Sequence, residues 1–333
     1  MRIISLIFCI FCIIVSFSGC TSDEKTARPK VEVQPVVLRL KWLVNVSAAG
    51  EIWALKHHIF EANGLHVELK EGGLEHNAIK DLELGRAQFG VASADQVIRA
   101  VEKGADIVVL AQIFQKNPLK WAYDASKLHI QGPQDLKGLT VGITYGGNDE
   151  AVFRALMAKY GLSKEDIRLY AVRQDYTPFW NGEAQLWPVY SNVEGLVLAQ
   201  KMQEHGKRLS FFDPDAFGVH LVANSLITSR RIYEAQPELV QNFTKALLQG
   251  WSQVIEPQNE LEAAQAVHEF DNSLDIKLIR QQLAATRELV TTDTLPIGTI
   301  DKAAWKESEE IMLQQGLISK PVGIEGVLKD SLR

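Results

Sequence analysis

LRLKWLVNVSAAGEIWALKHHIFEANGLHVELKEGG, residues Leu38 to Gly73, decides the fold class. Leu38, Leu40 and Trp42 alternate with Arg39 and Lys41, the period of a strand with one buried face. After an irregular, small-residue segment from Asn45 to Gly50, Ile52, Leu55, Ile59 and Phe60 fall at helical spacing. Glu51, Lys56 and Glu61 are expected to point outward, and Asn63-Gly64 to end the helix with a left-handed cap. A second alternation, Leu65, Val67 and Leu69 with His66 and Glu68, follows at once. A strand-helix-strand unit with this connection is parallel. In open parallel sheets ligands sit beyond the carboxyl ends of the strands, and here Trp42 to Gly50 occupies that place.

The same alternation of elements continues. A short helix is expected from His76 to Gly85, a strand at Phe89–Ala92, a helix from Asp95 to Lys103 and a buried strand from Asp106 to Ala111. Ser93 and Gln96 have capping-box spacing. A fresh unit begins near Pro133: strand Leu139–Thr144, the turn Tyr145-Gly146-Gly147, helix Asn148–Tyr160 and strand Ile167–Val172. The glycine turn opens helix amides to a ligand, although for Gly146-Gly147 alone a plain tight turn is the preferred account. Tyr176 to Glu194 reads as a loop rich in aromatic residues, with Tyr190, Asn192 and Glu194 able to stack on and hydrogen-bond a flat polar ring. From residue 230 onward the pattern is helical.

With 333 residues, 46% hydrophobic and 23% charged, the chain has the composition of an α/β protein of about two domains. A net charge of -6 without a basic cluster argues against a nucleic-acid partner. No GxSxG, HExxH, paired CxxC or phosphate-loop pattern occurs after residue 20, so neither a catalytic function nor a cofactor is expected. His57 and His58 adjoin on the expected helix, where neighbours diverge by about 100° and do not readily share a metal.

Arg2, the apolar run Ile3 to Phe17 and Ser18-Gly19-Cys20 form an export leader over 1–19. Small residues directly before a cysteine resemble a bacterial lipobox, which implies cleavage before Cys20 and acylation of that residue. Residues 20–35, polar and containing Pro29 and Pro35, read as a flexible tether. All three cysteines fall at or before Cys20, so the body is thiol-free, as suits an oxidising exterior.

Several segments resemble one family: Trp42 with Asn45 and Gly50; Phe60, Gly64, Leu65 and Val67; Gly90 through Ser93 and Asp95 to Gln96; Phe114-Gln115-Lys116 with Pro118; Asp135-Leu-Lys-Gly138; Gly146-Gly147 with Glu150; Asp175 with Thr177-Pro178-Phe179; and Tyr190, Asn192 and Glu194. These are similar to the solute-binding proteins of ABC importers for nitrate, sulfonates and thiamine-pyrimidine precursors, nearest to the last branch, which includes the fungal pyrimidine synthases.

The resemblance implies a two-lobe periplasmic-binding-protein fold of type II. Lobe 1 would be discontinuous, 36–126 plus 223–333, lobe 2 would be 127–222, and the ligand cleft would lie between them. It implies ligand contacts from Trp42, Asn45, Ser93, Asp95, Gln115, Gly146, Gly147, Glu150, Tyr190, Asn192 and Glu194. The implied partners are a membrane permease and lipid through Cys20, with the chain a monomer. Ala48 stands where pyrimidine binders of this type tend to carry histidine, and no cysteine-rich motif of the synthases is present.

Two ligand chemistries compete. Sulfonate or nitrate would use Lys41, Lys116 and Arg173, whereas Asp95, Glu150 and Glu194 favour an amine-bearing heteroaromatic such as an aminopyrimidine, held by Trp42 and Tyr190. A cofactor-biosynthesis enzyme on the same fold is the alternative from another class.

Cys20→Ala is expected to shift the protein from the membrane to the soluble fraction of expressing cells; undiminished membrane retention would contradict the lipid anchor.

Overall fold

The computed structural model describes residues 35–329, except 74, 174, 293 and 294. The leader, Cys20 and the tether lie outside the described residues.

The first strand, β1, is Val36–Arg39. Beyond it Asn45 caps a 3-10 turn, Val46–Ala48, its side-chain oxygen accepting from the Ser47 amide at 2.8 Å. The expected single helix is two, α1 (Ala49–Lys56) and α2 (Ile59–Ala62), because His58 adopts the left-handed conformation at φ 54°. The histidine pair therefore straddles a break rather than sharing one helix. Gly64 has φ 76°, the left-handed conformation expected just past the helix end. Next come β2 (Val67–Lys70), α3 (Ala78–Glu83), β3 (Phe89–Ala92), α4 (Ala94–Glu102) and β4 (Ile107–Gln112).

A strand that the sequence reading passed over, β5 (Leu119–Asp124), leads to β6 (Thr140–Ile143), α5 (Asn148–Lys159) and β7 (Arg168–Ala171). The expected loop from Tyr176 to Glu194 contains α6 (Thr177–Asn181) and β8 (Trp187–Tyr190). Pro178 starts α6, where its missing amide hydrogen is no loss. Then follow α7 (Glu194–Glu204), β9 (Leu209–Phe212) and β10 (Ser225–Ser229). The rest is helical: α8 (Arg230–Ala235), α9 (Pro237–Val254), α10 (Glu260–Phe270), α11 (Ile276–Val290) and α12 (Lys302–Gln314).

Strand β1 pairs parallel with β2, as the opening stretch predicts, and also parallel with β3. The five-stranded sheet has the order β2-β1-β3-β10-β4, and β10 lies antiparallel to both its neighbours, so the sheet is mixed. Residues 119–212 supply an antiparallel sheet, β8-β5-β9, and a parallel pair, β6-β7.

Both faces of the large sheet are covered. Val37 and Ala92 pack with Ile79, Leu82 and Val97, while Leu38, Phe89 and Val91 pack with Ile52, Phe60 and Phe243. On the second face the rings of Phe89 and Phe243 stack at 3.7 Å and those of Phe60 and Phe243 at 5.2 Å. This arrangement is why β3 and β4 are buried throughout rather than alternating.

Helix α9 crosses α1 at close range. A Cβ on Gly250 would stand 2.4 Å from the Gly50 carbonyl oxygen, and one on Gly50 would stand 2.3 Å from the Trp251 ring. This contact buries Glu51, which the helical pattern alone places outward; only 2% of its surface is exposed, and burial pushes its carboxyl up to about 8.

Gly250→Val is expected to lower stability by about 1–3 kcal/mol through overpacking at this crossing, read as a fall in the denaturant midpoint. An unchanged midpoint would contradict the close crossing.

Candidate functional site

Two groups of polar residues gather beyond the ends of the strands. The first is built around the turn between β8 and α7. Strand β8 is anchored by β5, with Tyr190 opposite Leu119, so Tyr190 stands at the strand end where the chain turns. Its phenol oxygen accepts a hydrogen bond from the ammonium of Lys41, two residues past β1, and that ammonium lies 5.1 Å from the ring centroid. The Tyr190 amide donates to Glu194 Oε2 at 3.1 Å. Burial pushes the Glu194 carboxyl up, against the hydrogen bonds from its own amide and that of Tyr190. Burial, then the charge of Glu194, likewise pushes the Tyr176 phenol up.

Between Tyr190 and Glu194 sits Asn192, with 0% of its surface exposed. Its Nδ2 donates to Thr286 Oγ1 at 2.9 Å and approaches Ser47 Oγ at 3.4 Å. Its Oδ1 is buried and has no hydrogen-bond partner among the described residues. Gln282 Nε2 donates to the adjacent Val193 carbonyl at 3.2 Å. Sequence reasoning missed Ser47, Gln282 and Thr286 as neighbours of this turn. In a helical pattern Gln282 and Thr286 look like ordinary polar positions, and no local signal marks them as buried.

The second group joins the starts of α4 and α5. Ser93 Oγ donates to Asp95 Oδ1 at 2.6 Å, and Arg99 donates to Asp95 Oδ2 at 3.1 Å. The Gln96 side-chain oxygen accepts from the Ser93 amide at 3.1 Å, the half of the capping box that the spacing predicts. Asp149 accepts from the Thr144 amide at 2.5 Å. Burial first, with the charge of Asp95 adding to it, pushes the Asp149 carboxyl up to about 6. Glu150 feels burial too, but the Gly146 amide, Arg154 and Arg99 outweigh it and hold its carboxyl below the usual range.

The glycine turn does not present free amides to a ligand. Gly146 N–H donates to Glu150 Oε2 at 2.7 Å, and Gly147 N–H donates to the Thr144 carbonyl at 2.8 Å. Gln115 is also engaged, its Nε2 bonding the carbonyls of Gln112 and Thr299 at 2.8 and 3.1 Å. The Asn45 side-chain oxygen is spent on its cap, and Trp42 is 36% exposed. Of the three cations considered for an anionic ligand, Lys116 and Arg173 are exposed and Lys41 is half-buried. A small recess beside Lys41 is lined by Gly73, Asn77, Val91, Ala92 and Gln96, at the carboxyl ends of β1 and β3. This is the place that parallel strands reserve for ligands.

A family model described as NMT1/THI5 like matches residues 45–260. The chain belongs to the NMT1/THI5-like family.

Three similar proteins cover nearly the same length as this family member. A riboflavin-binding protein, RibY, of Chloroflexus aurantiacus is 24% identical over 98% of this chain and 95% of its own. A putative thiamine biosynthesis protein of Haemophilus influenzae is 25% identical over 89% and 92%. A formylaminopyrimidine-binding protein of Halalkalibacterium halodurans is 23% identical over 97% and 96%. Among solved structures, the periplasmic aliphatic sulphonate-binding protein SsuA of Escherichia coli superposes with a TM-score of 0.70 at 17% identity, over 89% of this chain and 92% of its own. The desulfurization enzyme DSZB shares the fold at a TM-score of 0.59 and 12% identity, over 89% and 99%. The fold is that of the periplasmic binding proteins, as the resemblance implies.

A carboxyl raised by folding contributes stability that is complete below its ordinary value and is lost as pH rises through its folded value. For Asp149 that window runs from 3.8 to about 6. Asp149→Asn, which keeps an acceptor for the Thr144 amide, is therefore expected to flatten the pH dependence of the melting temperature across that window. A curve as steep as that of the parent would contradict this.

Proposed function

We propose that the chain is the extracytoplasmic solute-binding subunit of an ABC importer, anchored by acylated Cys20. Its ligand is a flat nitrogen heteroaromatic bearing an N–H donor, of the aminopyrimidine or flavin class. Two lobes, one built on the sheet β2-β1-β3-β10-β4 and the other on the sheets of residues 119–212, close on it and present the closed form to a permease. The chain binds its solute and does not transform it.

One observation carries the ligand class: Asn192 Oδ1 is buried and unpartnered, two residues from a carboxyl that burial makes easier to protonate. An unpaired buried acceptor costs about 1–3 kcal/mol, which a ligand N–H placed against it restores. Glu194 adds a second acceptor and Tyr190 an aromatic face. The names borne by RibY and the formylaminopyrimidine-binding protein are consistent with this chemistry, since both of their ligands are flat nitrogen heteroaromatics.

Lys41 favours a second reading, a sulfonate or another anion, because it makes no ion pair among the described residues while pointing its ammonium at the cleft tyrosine.

A thermal-shift panel of amino- and formyl-aminopyrimidines, flavins, taurine, alkanesulfonates and nitrate separates the two. Ligand at a hundred times its dissociation constant adds about 2.7 kcal/mol. The expected result is a shift with a heteroaromatic that Glu194→Ala weakens about tenfold or more. A shift with sulfonates alone, abolished by Lys41→Met, would overturn the heteroaromatic reading and leave the importer reading in place.

A further inference from the structure

Helix α11 spans Ile276–Val290, beyond the part of the chain that the family model matches. Its buried face is built from Leu278, Ile279, Leu283, Leu289 and Val290, with two polar interruptions, Gln282 and Thr286. The two are four residues apart and so lie one above the other on one face. Each is 1% exposed. Burying an amide and a hydroxyl in a helix-packing face is unfavourable unless both are bonded, so apolar residues would serve packing better.

Their hydrogen bonds show what they serve. Thr286 Oγ1 donates to the Gln282 carbonyl at 2.8 Å, so its only hydrogen is spent within its own helix. Toward Asn192 the hydroxyl is left as an acceptor, and it meets Nδ2 at 2.9 Å. The carboxamide is thereby fixed in one of its two orientations, Nδ2 toward α11 and Oδ1 away from it. Gln282 holds the adjoining Val193 carbonyl, so the turn is gripped through both backbone and side chain.

We propose that Thr286 and Gln282 are positioning residues that make Asn192 present its acceptor rather than its donor to the ligand, so that α11 selects ligands carrying N–H groups. This rests on the reading that Asn192 faces the ligand. Such discrimination is a difference in affinity, since a ligand that offers a carbonyl in the same place leaves two acceptors opposed.

The experiment measures dissociation constants for a matched pair, an amine-bearing pyrimidine and its oxo counterpart, on the mature protein and on Thr286→Val, Thr286→Ser and Gln282→Leu. Valine keeps the shape and removes the acceptor, freeing the carboxamide to turn. The expected result is about a tenfold fall in the amine-to-oxo preference in Thr286→Val, with the preference restored in Thr286→Ser. A uniform weakening of both ligands with the preference intact would assign Thr286 a packing role and overturn the proposal.

Hydrogen exchange of the unliganded proteins over Tyr190 to Gly195 needs no ligand. Faster exchange in Thr286→Val and Gln282→Leu is expected, and exchange equal to that of the parent would overturn the grip itself. If no heteroaromatic binds the parent while the grip is seen, the ligand reading fails and selection by α11 fails with it.

Discussion

A carboxamide with no exposed surface must find its hydrogen bonds inside the protein, and the amide nitrogen of Asn192 finds its partners on elements remote in sequence. Ser47 comes from the turn after the first strand and Thr286 from the C-terminal helical segment. The turn between β8 and α7 is thus held against the large sheet's side of the molecule by buried polar contacts and by the Lys41–Tyr190 bond. Each of these contacts would be exchanged for water if the turn moved away, so they oppose separation only to the extent that their geometry is good. That balance suits the cleft closure proposed for this chain.

The strand-helix-strand stretch was legible because its periods switch cleanly from two to 3.6 and back, and β1 and β2 are parallel as a crossover requires. What it could not reveal lies outside the stretch. Glu51 reads as an outward position until α9, two hundred residues later, lies across it with Gly250 against Gly50. Strand β10, Ser-Leu-Ile-Thr-Ser, was not legible as a strand: both its faces are buried, so no alternation shows, and its antiparallel entry between β3 and β4 depends on where the chain returns. Helix α6 is five residues long, too short to display a period, and only Pro178 marks its start.

The site was legible where chemistry and position coincide in one short segment. Tyr190, Asn192 and Glu194 come together, and across two helix starts the charge of Asp95 reaches Asp149 while that of Arg99 reaches Glu150. Residues chosen for backbone reasons were less telling: the Gly146 and Gly147 amides are consumed within their own turn, and Gln115 bridges β4 to Thr299. The residues of α11 were illegible, since a polar residue on a helix says nothing about whether it is buried until its neighbours are known. The proposed ligand class turns on which of two features dominates, a half-buried ammonium or a pair of buried acceptors. The acceptors weigh more, because the ammonium already has the Tyr190 phenol and ring while Asn192 Oδ1 has no partner among the described residues.

The most direct test is a crystal structure of the protein with its tightest-binding heteroaromatic. The ring should stack on Tyr190 with centroids roughly 4.5–7 Å apart, one ligand N–H should meet Asn192 Oδ1, and another should meet Glu194. A ligand held by Lys41 through an anionic group, with Asn192 Oδ1 still unpartnered, would contradict the account.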